Sequence, residues 1–262
     1  MQEFGNKFTI LEGSFSNIER LTENTPFNRP DAIVFDLGVC STQLDEAERG
    51  FSFKYDGPLD MRMSKTGESA ADVVNSIPES KLANIIYNYG DERASRRIAR
   101  AISARRAQKP LIRTAELAQI VRSVLPRAQK GKSDPATRTF QALRIYVNNE
   151  IDELCDALLA SERILQEGGI LAVVSFHSIE DRIVKRFMRE RAGLASQPSR
   201  HQPFQSEIKP TFRLSPQKPI SPEAGEIKIN PRARSAKLRI AIRTAAAAKK
   251  AFNKHEMVNG RS

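Results

Sequence analysis

The sequence predicts a mixed α/β fold that is interrupted by a helical insertion. Two short apolar runs, at 33–35 and 170–175, are each followed by a cluster of polar residues and are typical of buried strands. Between these runs, four helical patterns follow one another without an intervening strand. We therefore expect a sheet whose strands come from both parts of the chain, with an all-α domain inserted between them.

The first strand is predicted to end at an acidic residue close to a glycine. Ile33, Val34 and Phe35 form an apolar run that we expect to be buried on both faces, and Asp36 and Gly38 follow it. Ligands of open α/β sheets bind beyond the carboxyl ends of the strands, where an aspartate can accept hydrogen bonds and a glycine lets the ligand approach the backbone. An aspartate that begins a turn or caps a helix fits the same pattern, so both interpretations stay open.

The segments on either side of this strand carry turn signals. Phe8–Leu11 is predicted as a further short strand, and Ser16 as the start of a helix. Residues 42–63 are predicted to form an ordered loop, because they are rich in turn formers and charges. The large apolar side chains of this loop could equally fill a small core: Phe51, Phe53, Met61 and Met63.

The insertion is predicted as four short helices, at 69–77, 79–87, 91–106 and 114–124. The third has one apolar face, and arginines cover the remainder: Arg93, Arg96, Arg97, Arg100, Arg105 and Arg106. So many cations repel one another unless an anion is near, and the arginine fork suits phosphates. A nucleic-acid-binding face is therefore one interpretation, and a solvated face paired with nearby acids is the other.

The last part of the chain returns to an α/β pattern. One long amphipathic helix is predicted at 136–166, then a strand at Ile170–Ser175, a helix that runs to Arg191, and a final strand at Lys237–Arg243. Seven of the 14 prolines lie between 198 and 231, so we expect loop with short edge strands there. Residues beyond Thr244 are predicted to be a frayed tail.

Composition narrows the classes of protein. The 262 residues carry a net charge of +11, which indicates a polyanionic partner, and 40% of them are hydrophobic, enough for a real core. The longest clean apolar run is much shorter than a membrane span, so we expect a cytoplasmic protein without a membrane partner. Cys40 and Cys155 lie far apart, which argues against a disulfide framework and against a metal site.

Several chemistries are compatible with the two polar clusters. His177 beside Ser175 suggests a hydrolase, but no G-x-S-x-G motif accompanies them, and no ATP-binding loop is present. Cys40 could act as a thiolate that attacks C6 of a pyrimidine, or it could be a small buried residue.

Five sequence blocks together resemble the bacterial 16S rRNA cytosine-N4 methyltransferase family. They are 33–63 (beginning IVFDLGVCSTQLD), 89–102, 134–150, 175–187 (SFHSIEDRIVKRF) and 230–239, in the order of the family. The resemblance implies a Rossmann-like, S-adenosylmethionine-dependent methyltransferase sheet with an inserted all-α substrate-recognition domain. It implies N4-methylation of a cytosine in the decoding (P-site) region of 16S rRNA, within the small ribosomal subunit or its precursor.

The resemblance also assigns residues. It implies that Phe15, Asp36 and Gln43 bind S-adenosylmethionine. The proton acceptor for the cytosine amine is not assigned, and Asp36, His177 and Ser175 are the candidates. The expected RNA contacts are basic: Arg93, Arg96, Arg97, Arg100, Arg232, Arg234 and Lys237.

The resemblance implies domain boundaries, and the sequence departs from the family in one respect. We expect the methyltransferase domain at 1–45 and 134–244, the helical RNA-recognition domain at 46–133, and a disordered tail at 245–262. The sequence starts near what resembles the third strand of the family, so we expect the first two strands and their glycine-rich turn to be missing and this amino-terminally truncated chain to be poorly active alone. A cytosine-C5 RNA methyltransferase that uses Cys40 and a non-catalytic RNA-binding remnant are the alternative hypotheses.

Overall fold

The computed structural model describes residues 8–64, 66–126, 134–194 and 209–249. Its internal contacts divide the chain into two units. The first, called here the sheet unit, comprises Met1–Gly38 and Ile151–Ser262, and the second, the helical unit, comprises Val39–Glu150. The mixed α/β class predicted from the sequence is confirmed.

The sheet unit contains four strands: β1 (Ala32–Asp36), β2 (Ile170–Ser175), β3 (Phe212–Leu214) and β4 (Lys237–Arg243). Their order in the sheet is β1-β2-β4-β3, with β1 parallel to β2 and the other pairs antiparallel. The predicted strands at 33–35, 170–175 and 237–243 are thus confirmed. β3 is one of the short strands expected in the proline-rich segment, of which 198–208 lies outside the described residues.

Only one face of β1 is buried, so the prediction of burial on both faces is wrong. Ile33 and Phe35 are almost completely buried, whereas Val34 between them is 68% exposed. The buried face of the sheet packs against α9 (Ser178–Arg191), since Phe187 lies against Phe212 of β3. The apolar run therefore reflects the pleat of a sheet that is covered on one side more than on the other.

The predicted strand at Phe8–Leu11 is also wrong. In the structure this segment is irregular, and Phe8, Ile10 and Leu11 are exposed. An apolar stretch becomes a strand only where a partner edge accepts its backbone hydrogen bonds, and the sequence does not show whether such an edge exists. The helical turn predicted at Ser16 is confirmed as a 3-10 turn at Phe15–Asn17 that leads into α1 (Ile18–Thr22).

The helical unit contains the predicted helices, with their ends shifted by a few residues. These are α3 (Ala70–Ser76), α4 (Glu79–Gly90), α5 (Ser95–Arg106) and α6 (Thr114–Val124), preceded by the short α2 (Ser41–Asp45). They enclose one hydrophobic core with α7 (Thr137–Val147). The segment predicted as a loop at 42–63 is helical at its start, where 42–45 belong to α2. Its residues Phe51 and Met61 are buried in that core, which confirms that the segment helps to fill it.

The single helix predicted at 136–166 is wrong, because the chain breaks between α7 and α8 (Glu150–Ile164). Asn149 has a left-handed φ of 51°, which asparagine tolerates better than most residues. The side chain of Asn148 donates a 2.7 Å hydrogen bond to the Met61 carbonyl and accepts one of 2.7 Å from the Met63 backbone N–H. The break thus satisfies backbone groups of a loop that is distant in the sequence.

The remaining described elements are α10 (Ala224–Ile229) and a 3-10 turn at Pro231–Ser235. None of the helices among the described residues is long and apolar enough to cross a membrane. Of the tail predicted at 245–262, residues 250–262 lie outside the described part of the chain.

Candidate active site at the ends of β1 and β2

The two polar clusters singled out in the sequence lie at adjacent strand ends. Asp36 pairs in register with Val174, and the Leu37 N–H donates a 3.1 Å hydrogen bond to the Val174 carbonyl. Since β1 and β2 are parallel, Asp36 and Ser175 end neighbouring strands at the same edge of the sheet. Strand register therefore joins two segments that are far apart in the sequence.

Asp36 is exposed at this edge, and the backbone turns sharply after it. Gly38 has a φ of 94°, a conformation that favours glycine, and a Cβ built there would meet no atom within 4 Å. The glycine is thus required by the turn and leaves open space beside the strand end. A carboxylate next to exposed backbone is a suitable arrangement for holding a polar or cationic ligand.

Phe15 lies beside the same strand. Its ring centroid is 5.7 Å from that of Phe35, at an interplanar angle of 60°, and 37% of the residue is exposed. One part of the ring therefore packs on the strand that carries Asp36, and the remainder is accessible to a ligand. An accessible aromatic ring of this kind can stack on a purine.

Gln43, the third residue expected to bind the donor, belongs to the helical unit, whereas Phe15 and Asp36 belong to the sheet unit. Its Oε1 accepts a 3.0 Å hydrogen bond from the Cys40 backbone N–H, which fixes the start of α2. Its side-chain NH₂ group is a separate donor that this bond does not use. Gln43 can therefore order its own turn and still donate a hydrogen bond.

Cys40 is exposed, so the interpretation of this residue as a small buried side chain is wrong. Its Sγ lies 2.9 Å from the Thr42 hydroxyl oxygen. The Thr42 hydroxyl, together with the backbone of Gln43, lowers the pKa of the Cys40 thiol. At neutral pH, a larger fraction of Cys40 is therefore ionised to the thiolate than of an ordinary cysteine.

His177 caps the first turn of α9. Its Nδ1 accepts a hydrogen bond of 3.3 Å from the Glu180 backbone N–H, while Glu180 Oε2 accepts one of 2.9 Å from the Phe176 N–H. His177 Nε2 lies 3.0 Å from Oε1 of the buried Glu180. Because Nδ1 is used as an acceptor, Nε2 carries the proton of a neutral ring.

Glu180 was not among the candidate site residues, although the sequence signals its capping role. An N-cap residue followed three positions later by a glutamate is the spacing of a capping box, here with histidine in place of serine or threonine. Ser175, immediately before this turn, is 2% exposed, and its hydroxyl makes a long hydrogen bond of 3.4 Å to the Lys237 carbonyl.

Asp181 binds two basic side chains of β4. Arg239 Nε donates to Asp181 Oδ1 at 2.7 Å, and Lys237 Nζ lies 3.2 Å from Oδ2. Burial disfavours the ionised carboxyl group, but Arg239 and Lys237 outweigh that effect and hold the pKa of Asp181 below its ordinary value. Lys237, expected to contact RNA, is therefore paired in this structure and is still partly exposed.

The ion pairs of Asp181 make the free energy of unfolding depend on pH in the acid range. With its pKa lowered in the folded state, Asp181 stabilises the fold above the ordinary carboxyl pKa of about 4, and the stabilisation is lost as the pH falls through the lowered value. We expect Asp181→Asn to reduce the free energy of unfolding by about 1.5–3 kcal/mol at pH 7 and to have almost no effect in strong acid. Urea denaturation over a pH series measures this; Asp31→Asn, at an exposed position, is the control, and a difference that does not change with pH would contradict the assignment.

The other basic residues expected to contact RNA are exposed. Arg97 donates to the Val124 carbonyl at 2.9 Å, and Arg100 Nε lies 4.0 Å from Glu79. The rest of this set lies on α5, just before it, or in the 3-10 turn at Pro231–Ser235: Arg93, Arg96, Arg232 and Arg234. By contrast, Arg106 donates to the Val74 carbonyl at 2.6 Å and Arg105 to the Lys109 carbonyl at 3.0 Å, so these two arginines help to hold the helical unit together.

Comparison with known proteins identifies close relatives. A family model described as the MraW methylase family matches residues 1–244. The "Ribosomal RNA small subunit methyltransferase H" of Paramagnetospirillum magneticum is 55% identical over 244 residues, which are 92% of this chain and 76% of that protein. The proteins of the same name from Parvibaculum lavamentivorans and Rhodospirillum rubrum are 52% and 51% identical, over 94% and 92% of this chain and over 73% and 76% of their own lengths.

Proposed function

This chain belongs to the MraW methylase family, and from that membership we propose that it transfers a methyl group from S-adenosylmethionine to N4 of a cytosine in the decoding region of 16S rRNA. The observation that carries the proposal is the match over residues 1–244, since the relatives are named as ribosomal RNA small subunit methyltransferases. The choice of the cytosine amine rests on the family resemblance of the five sequence blocks. The substrate is the small ribosomal subunit or its precursor.

The residues proposed to bind the donor are Phe15, Asp36 and Gln43, as the family resemblance implies. The accessible ring of Phe15 suits stacking on the adenine, and the exposed carboxylate of Asp36 suits a polar or positively charged part of the donor. The NH₂ group of Gln43, which the hydrogen bond from the Cys40 N–H does not use, adds a hydrogen-bond donor. The residues present thus fit the donor in ring, charge and hydrogen-bonding capacity.

When bound, S-adenosylmethionine supplies a methyl group on a sulfonium, which leaves with little acid or base help. The protein must instead align the cytosine amine with that methyl group and accept the proton that the methylated amine loses. Among the three candidate acceptors, His177 uses Nδ1 as a cap and Ser175 is buried, whereas Asp36 is an exposed carboxylate. This pattern favours Asp36, directly or through one water molecule.

RNA recognition is assigned to the helical unit, with the domain at 46–133 as the proposed recognition module. The exposed arginines of α5 supply phosphate contacts, and those of the Pro231–Ser235 turn supply further phosphate contacts from the sheet unit. The target base must leave its stack to reach the donor. The role of the helical unit is therefore to hold the RNA backbone while the base is presented.

The arginines of α5 and its amino-terminal flank give a direct prediction. Replacing Arg93 and Arg96 by Gln should weaken binding to a 16S rRNA transcript and lower the slope of log affinity against log salt by about 1 for each phosphate that the protein no longer neutralises. Fluorescence anisotropy at several salt concentrations measures both quantities. The matched control is Arg20→Gln with Arg29→Gln, which removes the same charge from exposed positions of the sheet unit. Equal effects of the two double variants would mean that this region contributes only net charge.

Methylation itself tests the proposal. The chain is incubated with immature small ribosomal subunits and methyl-labelled S-adenosylmethionine, and the RNA is digested to nucleosides for mass spectrometry. The expected product is N4-methylcytidine at one position. Label in another nucleoside, or no label when the donor is shown to bind, would overturn the proposed reaction.

A C5-methyltransferase that uses Cys40 is the second candidate, and the exposed thiol with its lowered pKa is the observation that favours it. On the N4 mechanism, Cys40→Ser should leave the methylation rate within about twofold of the wild type, because no covalent bond to C6 is needed. On the C5 mechanism, the same change abolishes transfer. Label appearing as 5-methylcytidine that disappears in Cys40→Ser would decide for the second candidate.

A further inference from the structure

A small basic cleft lies beside α9 in the sheet unit, and its lining includes none of the residues expected to bind the donor. Its rim carries Lys185 and Arg189 of α9 and Lys218 of the segment that follows β3. Its floor is apolar: Met188, Leu214 and Ile240. We call it the α9 cleft.

The size of the cleft limits what it can bind. Its free volume for water-sized groups is about 40 Å³, which is room for roughly three water molecules at 10–15 Å³ each. A nucleobase is larger than this space, whereas one phosphate group fits it. The α9 cleft therefore suits an anionic group presented on a larger molecule, not a whole nucleotide.

The cations at the rim are available for such a group. Lys185 and Lys218 are exposed, and among the residues that the structure describes neither has a carboxylate within ion-pair distance. Arg189 gives one Nη2 hydrogen bond of 2.7 Å to the Leu194 carbonyl and retains further donors. Arg239 also lines the cleft, but its charge is compensated by Asp181.

The same turns of α9 concentrate positive charge. Arg182, Lys185, Arg186 and Arg189 follow one another at spacings of three, one and three residues, so like charges lie close together on the helix surface. Burial, with a further contribution from Arg182, lowers the pKa of Arg186. Lys185 and Arg189 line the cleft and lie one turn apart, so an anion bound at the rim would reduce the repulsion between these two.

We propose that the α9 cleft binds one backbone phosphate of the RNA substrate through Lys185, Arg189 and Lys218. This inference rests on the proposed function for its choice of RNA, and it adds a contact in the sheet unit to those expected on α5 and near Arg232. The cleft has room for a single phosphate group and lies on a chain with a net charge of +11, which suits a backbone that passes over the surface. It supplies position and affinity and reads no base.

The test compares two double variants with the same change in charge. Lys185→Gln with Lys218→Gln alters the cleft, and Arg20→Gln with Arg29→Gln removes the same charge from exposed positions elsewhere in the sheet unit. Binding to a 16S rRNA transcript is measured by anisotropy at several salt concentrations. We expect the cleft variant to bind about fivefold more weakly with a salt slope reduced by about 1, and the control to match the wild type.

Further measurements distinguish an RNA phosphate from other sources of phosphate. They also distinguish a failure of the phosphate contact from a failure of the proposed function. Inorganic phosphate and vesicles of phosphatidylglycerol with phosphatidylcholine are tested on the same proteins, and calorimetry with S-adenosylmethionine should give the wild-type affinity for both variants. If the wild type binds the transcript and the cleft variant equals the control, the phosphate contact is wrong and the proposed function stands. If the cleft variant loses only vesicle binding, the contact with an RNA phosphate is also wrong. If the wild type does not bind rRNA, both proposals are overturned.

Discussion

Replacing Asp36 by Asn should weaken the binding of S-adenosylmethionine by roughly ten- to hundredfold, because a hydrogen bond to a charged group contributes about 1.5–3 kcal/mol. Asp36 is exposed at the end of β1, at the same edge of the sheet as Ser175. There is open space beside Gly38, two residues further along. Asn keeps the shape and one acceptor and removes the charge. Isothermal titration calorimetry with the donor measures the effect directly and does not depend on the RNA.

The control for this prediction is Asp31→Asn, at the position just before the other end of β1. Asp31 is exposed and accepts a side-chain hydrogen bond from Gln166, which Asn can also accept. Donor affinity should be unchanged in that variant. An equal loss in both variants would mean that net charge, and not the position of Asp36, governs the binding. No heat at millimolar donor in the wild type would instead favour the non-catalytic RNA-binding remnant.

Replacing Glu162 by Ala should lower the free energy of unfolding of the sheet unit by about 3–5 kcal/mol, because it removes one partner of a buried ion pair. Arg191 is fully buried, and its Nε donates to Glu162 Oε2 at 2.9 Å. The Thr211 hydroxyl donates to the other carboxylate oxygen at 2.6 Å. The variant leaves a buried cation and a buried hydroxyl with fewer acceptors. Denaturant unfolding followed by circular dichroism measures the loss.

The adjacent residue supplies the control for this second prediction. Arg163 forms an ion pair with Glu19 that is about half exposed, so Arg163→Ala should cost less than about 1 kcal/mol. The double variant Glu162→Leu with Arg191→Met should be more stable than Glu162→Ala, since it removes both charges and leaves apolar groups of similar size. If Glu162→Ala and Arg163→Ala cost the same, the buried pair has no special role in the stability of this unit.

Local sequence patterns were sufficient for most of the elements. Alternating or continuous apolar residues located β1, β2 and β4, and helical periodicity located α3 to α6. The sequence also marked Asp36 and Ser175 as the polar ends of two strands. Parallel strands bring such ends to one edge of a sheet, and the structure places these two side by side. These predictions succeed because each depends on neighbours in the sequence or on a rule of sheet topology.

The failures all involve contacts between distant segments. The break between α7 and α8 satisfies Met61 and Met63, which lie more than 80 residues away, and the exposure of Val34 depends on which face of the sheet is covered. Periodicity carries no information about such partners.

The amino-acid sequence by itself therefore determined the α/β class, the family and the residue types available for donor and RNA binding. Only the tertiary structure decided which of these residues are accessible. It exposes Asp36, Cys40 and three arginines of α5, at 96, 97 and 100, and it engages Arg106 and Asp181 in internal hydrogen bonds and ion pairs. The physical reason is that accessibility and hydrogen-bond partners are set when segments pack against one another, whereas helix and strand preferences are set within a few residues.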